Sequence, residues 1–172
     1  MTSTISRPEI DPSREITAKW YYKELWGWDL AKICTGKERP AFLKALLIAA
    51  NGDGELTSEE RKWVIGRAAA AGAPDSLLEE LETYPADEDI TKVVGSTLAT
   101  NKSKRAVIYF AIKAAASDND YSKFEGEMIR KAATAMGLSD DIVKEIEDLC
   151  LQEQQLKQKR IQLCFPEGDP FE

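Results

Sequence analysis

Apolar side chains recur at helical spacing along most of the chain, and no segment shows a convincing strand alternation. Two segments share one pattern, with apolar residues at i, i+1, i+4, i+5 and i+8, which places them on one face of a helix. The pattern consists of Phe42, Leu43, Leu46, Leu47 and Ala50 in the first segment, and Val107, Ile108, Ala111, Ile112 and Ala115 in the second. It predicts an all-α fold.

The two segments belong to an internal repeat. Residues 42–84 align without a gap on residues 107–149, an offset of 65, with ten identical pairs that fall at turn and core positions. Each copy predicts a helix, an acidic turn, a second helix that ends at Gly72 or Gly137, and a third helix. The chain is therefore expected to fold as two tandem three-helix repeats that share one core.

Helix starts are marked by capping boxes, in which a hydroxyl and a glutamate three residues later satisfy the free amides of the first turn. Thr57 with Glu60 forms such a box in the first copy, and Ser122 with Glu125 forms the matching box in the second. The third helices are predicted from about Ser76, in the box "SLLE", and from about Asp140.

Further helices flank and join the repeats. An aromatic helix is predicted over Ile16–Ile33, and a weaker one over Asp87–Thr100. The last helix is predicted to run to about Cys164 and to lie across the bundle surface, because Glu153 and Arg160 interrupt a coiled-coil seam. The predicted fold is thus an all-α, single-domain helical bundle of two tandem three-helix repeats, with an extra N-terminal aromatic helix and a long C-terminal helix.

Domain boundaries follow from these elements. We expect residues 1–15 to be a flexible N-terminus, residues 16–164 to form the helical domain, and residues 165–172 to be a solvated tail. The N-terminus has no apolar signal region, and no apolar run is long enough to span a bilayer. A cytoplasmic protein without an integral membrane segment is expected, and its three cysteines are interpreted as isolated thiols.

The amino-acid composition disfavours several classes of function for this chain. The chain has 172 residues, a net charge of −7 and no histidine. The acidic balance argues against nucleic acid as a partner and favours cations or basic protein surfaces. The lack of histidine excludes Ser-His-Asp and Cys-His catalysis and removes the commonest nitrogen ligand of zinc. A binding protein is therefore favoured over an enzyme, and its oligomeric state is left open.

The first acidic turn, "AANGDGELTSEE", partly matches an EF-hand calcium loop. Its loop positions 3, 5, 6, 7, 9 and 12 are filled by Asn51, Asp53, Gly54, Glu55, Thr57 and Glu60. The first ligand position, normally aspartate, is Ala49, and the second copy has Ala114 there and Asn119 in place of the glycine. A calcium-responsive EF-hand-like protein is thus an alternative hypothesis.

The same stretches resemble another family. "ANGDGELTSEE", followed by an alanine-rich helix, and "SDNDYSKFEGEMIRKAATAMGL" are similar to the tellurite-resistance TerB-like domains, which are all-helical, duplicated and carry a D-G-E-x-[ST]-x-x-E element in each half. The first turn matches the element in full at Asp53, Gly54, Glu55, Thr57 and Glu60. The second departs from it at Asn119 and at Asp120, and the resemblance covers roughly residues 42–149.

The resemblance implies a scaffolding or sensing module in the response to tellurite and other toxic agents, associated with the membrane surface in many members. It also implies a metal ion held by acidic residues, which by position are Asp53, Glu55, Glu60, Asp118, Asp120 and Glu125. Such oxygen donors suit Ca²⁺, Mg²⁺ or Mn²⁺ if the two turns converge. A purely structural role explains the same residues as turn formers and capping-box glutamates.

The aromatic segment "KWYYKELWGWDL" is a second candidate site. It carries more large rings than one helix face can hide against a small core, and Tyr21, Tyr22, Trp26 and Trp28 are the predicted partner-binding residues. The alternatives are a lid packed on the repeats, or an exposed surface for a protein partner or a small ligand. Asp29 is either at the rim of the apolar arc or a polar contact for a ligand.

Three functions therefore follow from the sequence. The leading hypothesis is a non-enzymatic TerB-like interaction and stress-response module that binds a divalent cation at its acidic turns. The second is the calcium-responsive protein. The third is a small carboxylate-based enzyme, in which Asp53 and Glu60 carry out acid–base chemistry.

Overall fold

The computed structural model describes residues 11–31, 38–51, 56–118 and 123–169, and these ranges form α-helices and contain no strand. The predicted all-α fold is therefore confirmed. The helices are α1 (Pro12–Trp26), α2 (Glu38–Ala50), α3 (Ser58–Ala70), α4 (Asp75–Thr83), α5 (Ile90–Gly95), α6 (Leu98–Lys102), α7 (Lys104–Ala115), α8 (Lys123–Ala135) and α9 (Asp140–Cys164), with a short 3₁₀ helix at Ala116–Asp118 between α7 and α8.

The duplication is visible in the helix bounds. Helices α2, α3 and α4 form the first copy and α7, α8 and α9 the second, and α8 begins and ends 65 residues after α3. The second helix of each copy is followed by a glycine in the left-handed region, with φ of 85° at Gly72 and 79° at Gly137. A side chain is disfavoured in this conformation, so the two glycines end equivalent helices in the same way.

The core is built around the first helices of the two copies, α2 and α7, which pack against each other. Their predicted apolar faces are buried, and α3, α4, α8 and the first part of α9 cover them. The largest fully buried apolar side chains come from both copies and from the segment between them: Leu43, Leu46, Leu47, Val64, Leu81, Val94, Val107, Ile108, Ile129 and Val143. The two copies therefore share one interior.

The first helix is shorter at its C-terminal end than the sequence predicted. It ends at Trp26 rather than Ile33, because Gly27 takes φ of 69° and its amide donates back to the carbonyl of Lys23 at 2.8 Å. A glycine in this conformation ends a helix with little strain, and the chain leaves the helix axis there. The helix also begins earlier than expected, at Pro12, capped by the side chain of Asp11.

Two further predictions about helix bounds were wrong. The segment predicted as one weak helix over Asp87–Thr100 contains two short helices, α5 and α6, because Thr97 accepts a hydrogen bond from the amide of Thr100 and starts a new helix. Helix α4 begins at Asp75 after the N-cap residue Pro74, without a side-chain cap, so "SLLE" does not form the predicted capping box.

Helix α9 ends at Cys164, as predicted, but it does not lie across the bundle along its whole length. Val143 is its buried residue, and Glu153 is the last half-buried one. Beyond it every described residue is exposed, including Leu156 at 61% and Leu163 at 72%. The C-terminal part of α9 therefore extends beyond the packed core. No helix within the described ranges is both long and apolar enough to cross a membrane.

Candidate functional site

The acidic turns are described only at their edges. Asp53, Glu55 and Asp120 lie outside the described residues, and Asp118 and Glu125 are placed by their backbone alone, in the 3₁₀ helix and in α8. Helix α3, which follows the first turn, packs against the 3₁₀ helix that leads into the second. The convergence of the two turns on one cation thus stays a prediction, as does the capping box at Ser122.

Glu60 is a helix-capping residue. Its Oε2 accepts hydrogen bonds from the amide of Thr57 at 2.8 Å and from the hydroxyl of Thr57 at 2.9 Å, while the hydroxyl of Thr57 accepts from the amide of Glu60. The predicted capping box is confirmed. Glu60 is buried, with 3% of its surface exposed. This carboxylate already has a structural role, which accounts for its presence without a metal or an acid–base function.

Asn51 closes the first turn. Its Oδ1 accepts from the amide of Leu56 at 2.8 Å, and its Nδ2 donates to the carbonyl of Ala86 at 3.2 Å. In the calcium-loop alternative Asn51 and Glu60 fill two ligand positions, and in the structure Oδ1 of Asn51 and Oε2 of Glu60 already accept internal hydrogen bonds. Within the described ranges, no three acidic or cysteine side chains are grouped so as to hold a metal ion.

The four predicted partner-binding residues form one aromatic cluster at the end of α1. Tyr21 and Tyr22 meet edge to face with ring centroids 5.4 Å apart, and Trp28 stacks on Tyr22 at 6.4 Å and on Trp26 at 5.5 Å. Trp28 is 53% exposed, whereas the other three are half-buried. The turn at Gly27 brings Trp28 back over the helix, so the rings stack on one another.

The cluster also packs on the bundle. The ring of Trp26 lies 6.0 Å from those of Tyr109 and Phe110, both on α7. Trp20, also on α1, is 64% exposed. Asp29 is exposed and pairs with Lys23 at 2.5 Å, so it lies at the rim of the cluster. Part of the aromatic segment therefore packs on the repeats, and part of it faces solvent.

A cavity of about 250 Å³ lies behind the aromatic cluster, between α1, α2, α3, α6 and α7. Its walls combine aromatic rings and small side chains with two arginines. The lining consists of Tyr22, Trp26, Trp28, Arg39, Phe42, Leu43, Arg67, Ala68, Ala71, Ala99, Thr100, Ser103, Ala106 and Phe110. The cavity thus joins the N-terminal helix to both copies of the repeat.

Arg67 is the more enclosed of the two arginines. Its guanidinium carbon lies 3.5 Å from the ring centroid of Phe110 and 5.4 Å from that of Phe42, a cation–π arrangement. Its Nε is buried and has no hydrogen-bond partner among the described residues. The pKa of Arg67 is lowered, mainly because burial disfavours the charged form, and the positive charge of Arg39 acts in the same direction.

Arg39 lies in the first turn of α2, with Nη1 and Nη2 both buried and without a hydrogen-bond partner in the described ranges. Elsewhere in these ranges Arg14 and Arg130 form ion pairs with carboxylates, and Arg61 donates to two carbonyl oxygens. Arg39 and Arg67 are therefore two neighbouring cations, each with at least one buried nitrogen that lacks an acceptor.

The sequence interpretation missed both arginines, although Arg67 carried a detectable signal. It lies three residues after the buried Val64 and next to the buried Ala68, on the apolar face of an alanine-rich helix. A charge on such a face indicates a helix cap, a buried ion pair or a ligand site, and Arg67 is too far along α3 to cap its start. Arg39 carried no such signal, because it precedes the apolar stripe of α2.

A second, more open site lies along α9. A groove of about 1200 Å³ lies between part of this helix and α7 and α8, and its lining includes Trp63 and Ile112. At its edge the hydroxyl of Tyr109 donates to Glu153 at 2.8 Å, and Lys113 pairs with the same carboxylate. Burial raises the pKa of the nearby Cys150 thiol to about 12. The lining of the groove combines apolar and charged side chains.

Comparison with known proteins identifies one structural relative. The chain is 30% identical to a tellurite resistance protein from Nostoc punctiforme whose crystal structure is known, and the two folds agree with a TM-score of 0.85. The match covers 93% of this chain and 99% of that chain. No family model matches the sequence, and no curated protein matches it.

Proposed function

Because the chain belongs to the tellurite-resistance proteins with a TerB-like helical domain, we propose that it is a non-enzymatic binding module of the response to tellurite and related toxic agents. It acts by contacting a protein partner, and a divalent cation at the acidic turns adjusts that contact. The observation that carries the proposal is the solvent-facing part of the aromatic segment. Trp20 on α1 is 64% exposed, and Trp28 in the turn after α1 is 53% exposed.

Exposed tryptophans support a binding role for this face. Large exposed rings are uncommon on a monomer surface and are enriched at the centres of protein interfaces. The partner is proposed to present a basic segment, since the net charge of −7 favours cationic surfaces. Tyr22 and Trp26 stack against the ring of Trp28 and hold it in place, so that binding through Trp28 needs little reorganisation.

The interaction is tested in a tellurite-sensitive bacterium that expresses the chain. We expect the wild-type chain to raise the tellurite concentration that the cells survive, and W20A and W28A to lose most of that gain while the purified variants keep their helical content. T91A, at an exposed site on α5, is the control. Full protection by the double variant W20A/W28A would refute a role for this surface.

The cation proposal concerns Asp53, Glu55, Asp118, Asp120 and Glu125, and it is supported by the repeated acidic element and the family resemblance. Glu60 contributes through the helix cap that fixes the first turn. Carboxylates at this spacing suit Ca²⁺, Mg²⁺ or Mn²⁺, and affinity depends on how many of them reach one ion.

Titration calorimetry with each of the three ions tests this site. Binding is expected for the wild-type chain and is expected to be lost in D53N/E55Q. The control variant E59Q changes an exposed glutamate on α3 that already pairs with Lys62. An absence of heat and of any rise in melting temperature with all three ions would end the cation proposal, while leaving the protein contact to its own test.

A further inference from the structure

We propose that the cavity between α1, α2, α3, α6 and α7 binds a flat organic anion, with its oxyanion group between Arg39 and Arg67 and its ring system among the aromatic side chains. The inference is independent of the cation site; it shares Tyr22, Trp26 and Trp28 with the protein-contact surface, but its test rests on the two arginines, which that surface does not use.

The fold itself does not require these arginines. The position that matches Arg67 in the second copy of the repeat is Ala132, which occupies an equivalent place on α8. Arg39 puts a positive charge in the first turn of α2, where the helix dipole disfavours cations. Both side chains also bury nitrogens without an acceptor, which costs stability because these donors lose their bonds to water. Their placement is explained if a ligand supplies the missing acceptors.

The charge of the ligand follows from the two guanidinium groups. A guanidinium group is planar, and the spacing of its N–H donors fits the two oxygens of a carboxylate or a similar oxyanion, often with two parallel hydrogen bonds. Two such groups line one cavity, and no described carboxylate pairs with either. The protein is acidic overall, with a net charge of −7, which repels anions at a distance. Affinity for an anion must therefore arise from contacts inside the cavity.

The shape of the ligand follows from the volume and the walls. A cavity of about 250 Å³ has room for about eight waters, far more than a single small oxyanion needs. It lies just below the usual range for ligand sites, which begins at about 300 Å³. Its walls include the rings of Tyr22, Trp26, Phe42 and Phe110, which favour stacking or edge contacts with a flat apolar body. A small aromatic or conjugated carboxylate meets all of these conditions.

Cinnamate is a suitable probe, because it is a small flat carboxylate with an uncharged analogue of the same shape, cinnamamide. Calorimetric titration of the full chain, in a chloride buffer free of phosphate and sulfonate, is expected to show one cinnamate bound per chain. Cinnamamide is expected to bind about tenfold more weakly or worse, and so are R39M and R67M with cinnamate. Arg105→Met, at an exposed arginine on α7, is the matched control and is expected to bind normally.

Two additional titrations test whether the cavity prefers an organic anion to an inorganic one. Sulfate and tellurite are titrated in the same buffer, and both are expected to bind much more weakly than cinnamate because they cannot contact the rings. The melting temperature of each variant confirms that it is folded, and cinnamate is expected to raise the melting temperature of the wild-type chain and of Arg105→Met but not of R39M or R67M. The proposal is overturned if cinnamate fails to bind at millimolar concentration, if cinnamamide, sulfate or tellurite binds equally well, or if both cavity variants keep full affinity.

Discussion

The same substitution is expected to have opposite effects on stability at two arginines of this chain. Arg61 and Arg39 are both partly buried, but their guanidinium groups have different surroundings. Nη1 of Arg61 donates to the carbonyl oxygens of Leu81 and Tyr84 at 2.7 and 2.8 Å, and so caps the end of α4. Nη1 and Nη2 of Arg39 have no acceptor in the described ranges. Methionine keeps most of the aliphatic volume in both cases and removes only the charged group.

The magnitudes follow from these contacts. Arg61→Met loses two hydrogen bonds from a charged donor, each worth about 1.5–3 kcal/mol in general, and we expect a loss of about 2–4 kcal/mol because the site is partly exposed. Arg39→Met removes two donors that lack acceptors and a cation from a helix N-terminus, and we expect a gain of about 1–3 kcal/mol. A stability of about 5–15 kcal/mol is typical of a domain, so both changes are large enough to measure.

Urea unfolding followed by far-UV circular dichroism measures both variants. The buffer contains Tris and chloride only, because phosphate, sulfate and sulfonates would supply acceptors to Arg39. Equal m-values in the two variants and the parent would show that the change lies in stability rather than in compactness. A loss of stability in Arg39→Met comparable to that in Arg61→Met would refute the reasoning, since it would mean that the guanidinium of Arg39 is well paired in solution.

Three other predictions concern single features of the fold. Glu60→Ala is expected to cost about 1–2 kcal/mol by removing the capping box, and Glu60→Gln less, since an amide oxygen still accepts; urea midpoints measure both. Gly66→Ala, inside α3 with open space around it, is expected to raise the melting temperature, whereas Gly27→Ala, at φ of 69°, is expected to lower it. In the folded protein Cys150 is expected to react slowly with iodoacetamide and the exposed Cys164 quickly, as read by mass spectrometry. Since folding raises the pKa of Cys150 from 9.0 to about 12, its contribution to stability is complete below about pH 9 and is lost as the pH rises toward 12.

The repeated helices could be predicted from the sequence because their signals are local. A hydroxyl and a glutamate three residues apart form a short-range capping box, and Thr57 and Glu60 correctly predicted the beginning of α3 in this way, whereas the same spacing in "SLLE" did not. Because the chain is duplicated, each predicted core position in one copy could be checked against the matching position in the other copy. The end of α1 was not predicted. The aromatic residues on both sides of Gly27 form one continuous apolar face in a helical projection, which hides the helix end at the glycine.

The cavity could not be predicted, because it depends on long-range packing. Arg67 belongs to α3, Arg39 to α2 and Trp28 to the turn after α1, and only the assembled bundle brings them together. A sequence shows that a helix face carries a charge, but it does not show whether an acceptor faces that charge across the core. Binding of metal by the acidic turns remains a prediction, since Asp53, Glu55 and Asp120 lie outside the described residues.

Helix α9 is continuous over 25 residues, yet its two halves are expected to differ in the free energy needed to open them. Its first half is anchored by Val143 and by contacts with α7 and α8, so its amides should exchange with deuterium only when the whole bundle unfolds. Past Glu153 every described residue is exposed, so this end has no such anchor and is held by its backbone hydrogen bonds. This end therefore frays and re-forms without disturbing the core, and it can be trimmed or extended at little cost to the rest of the molecule.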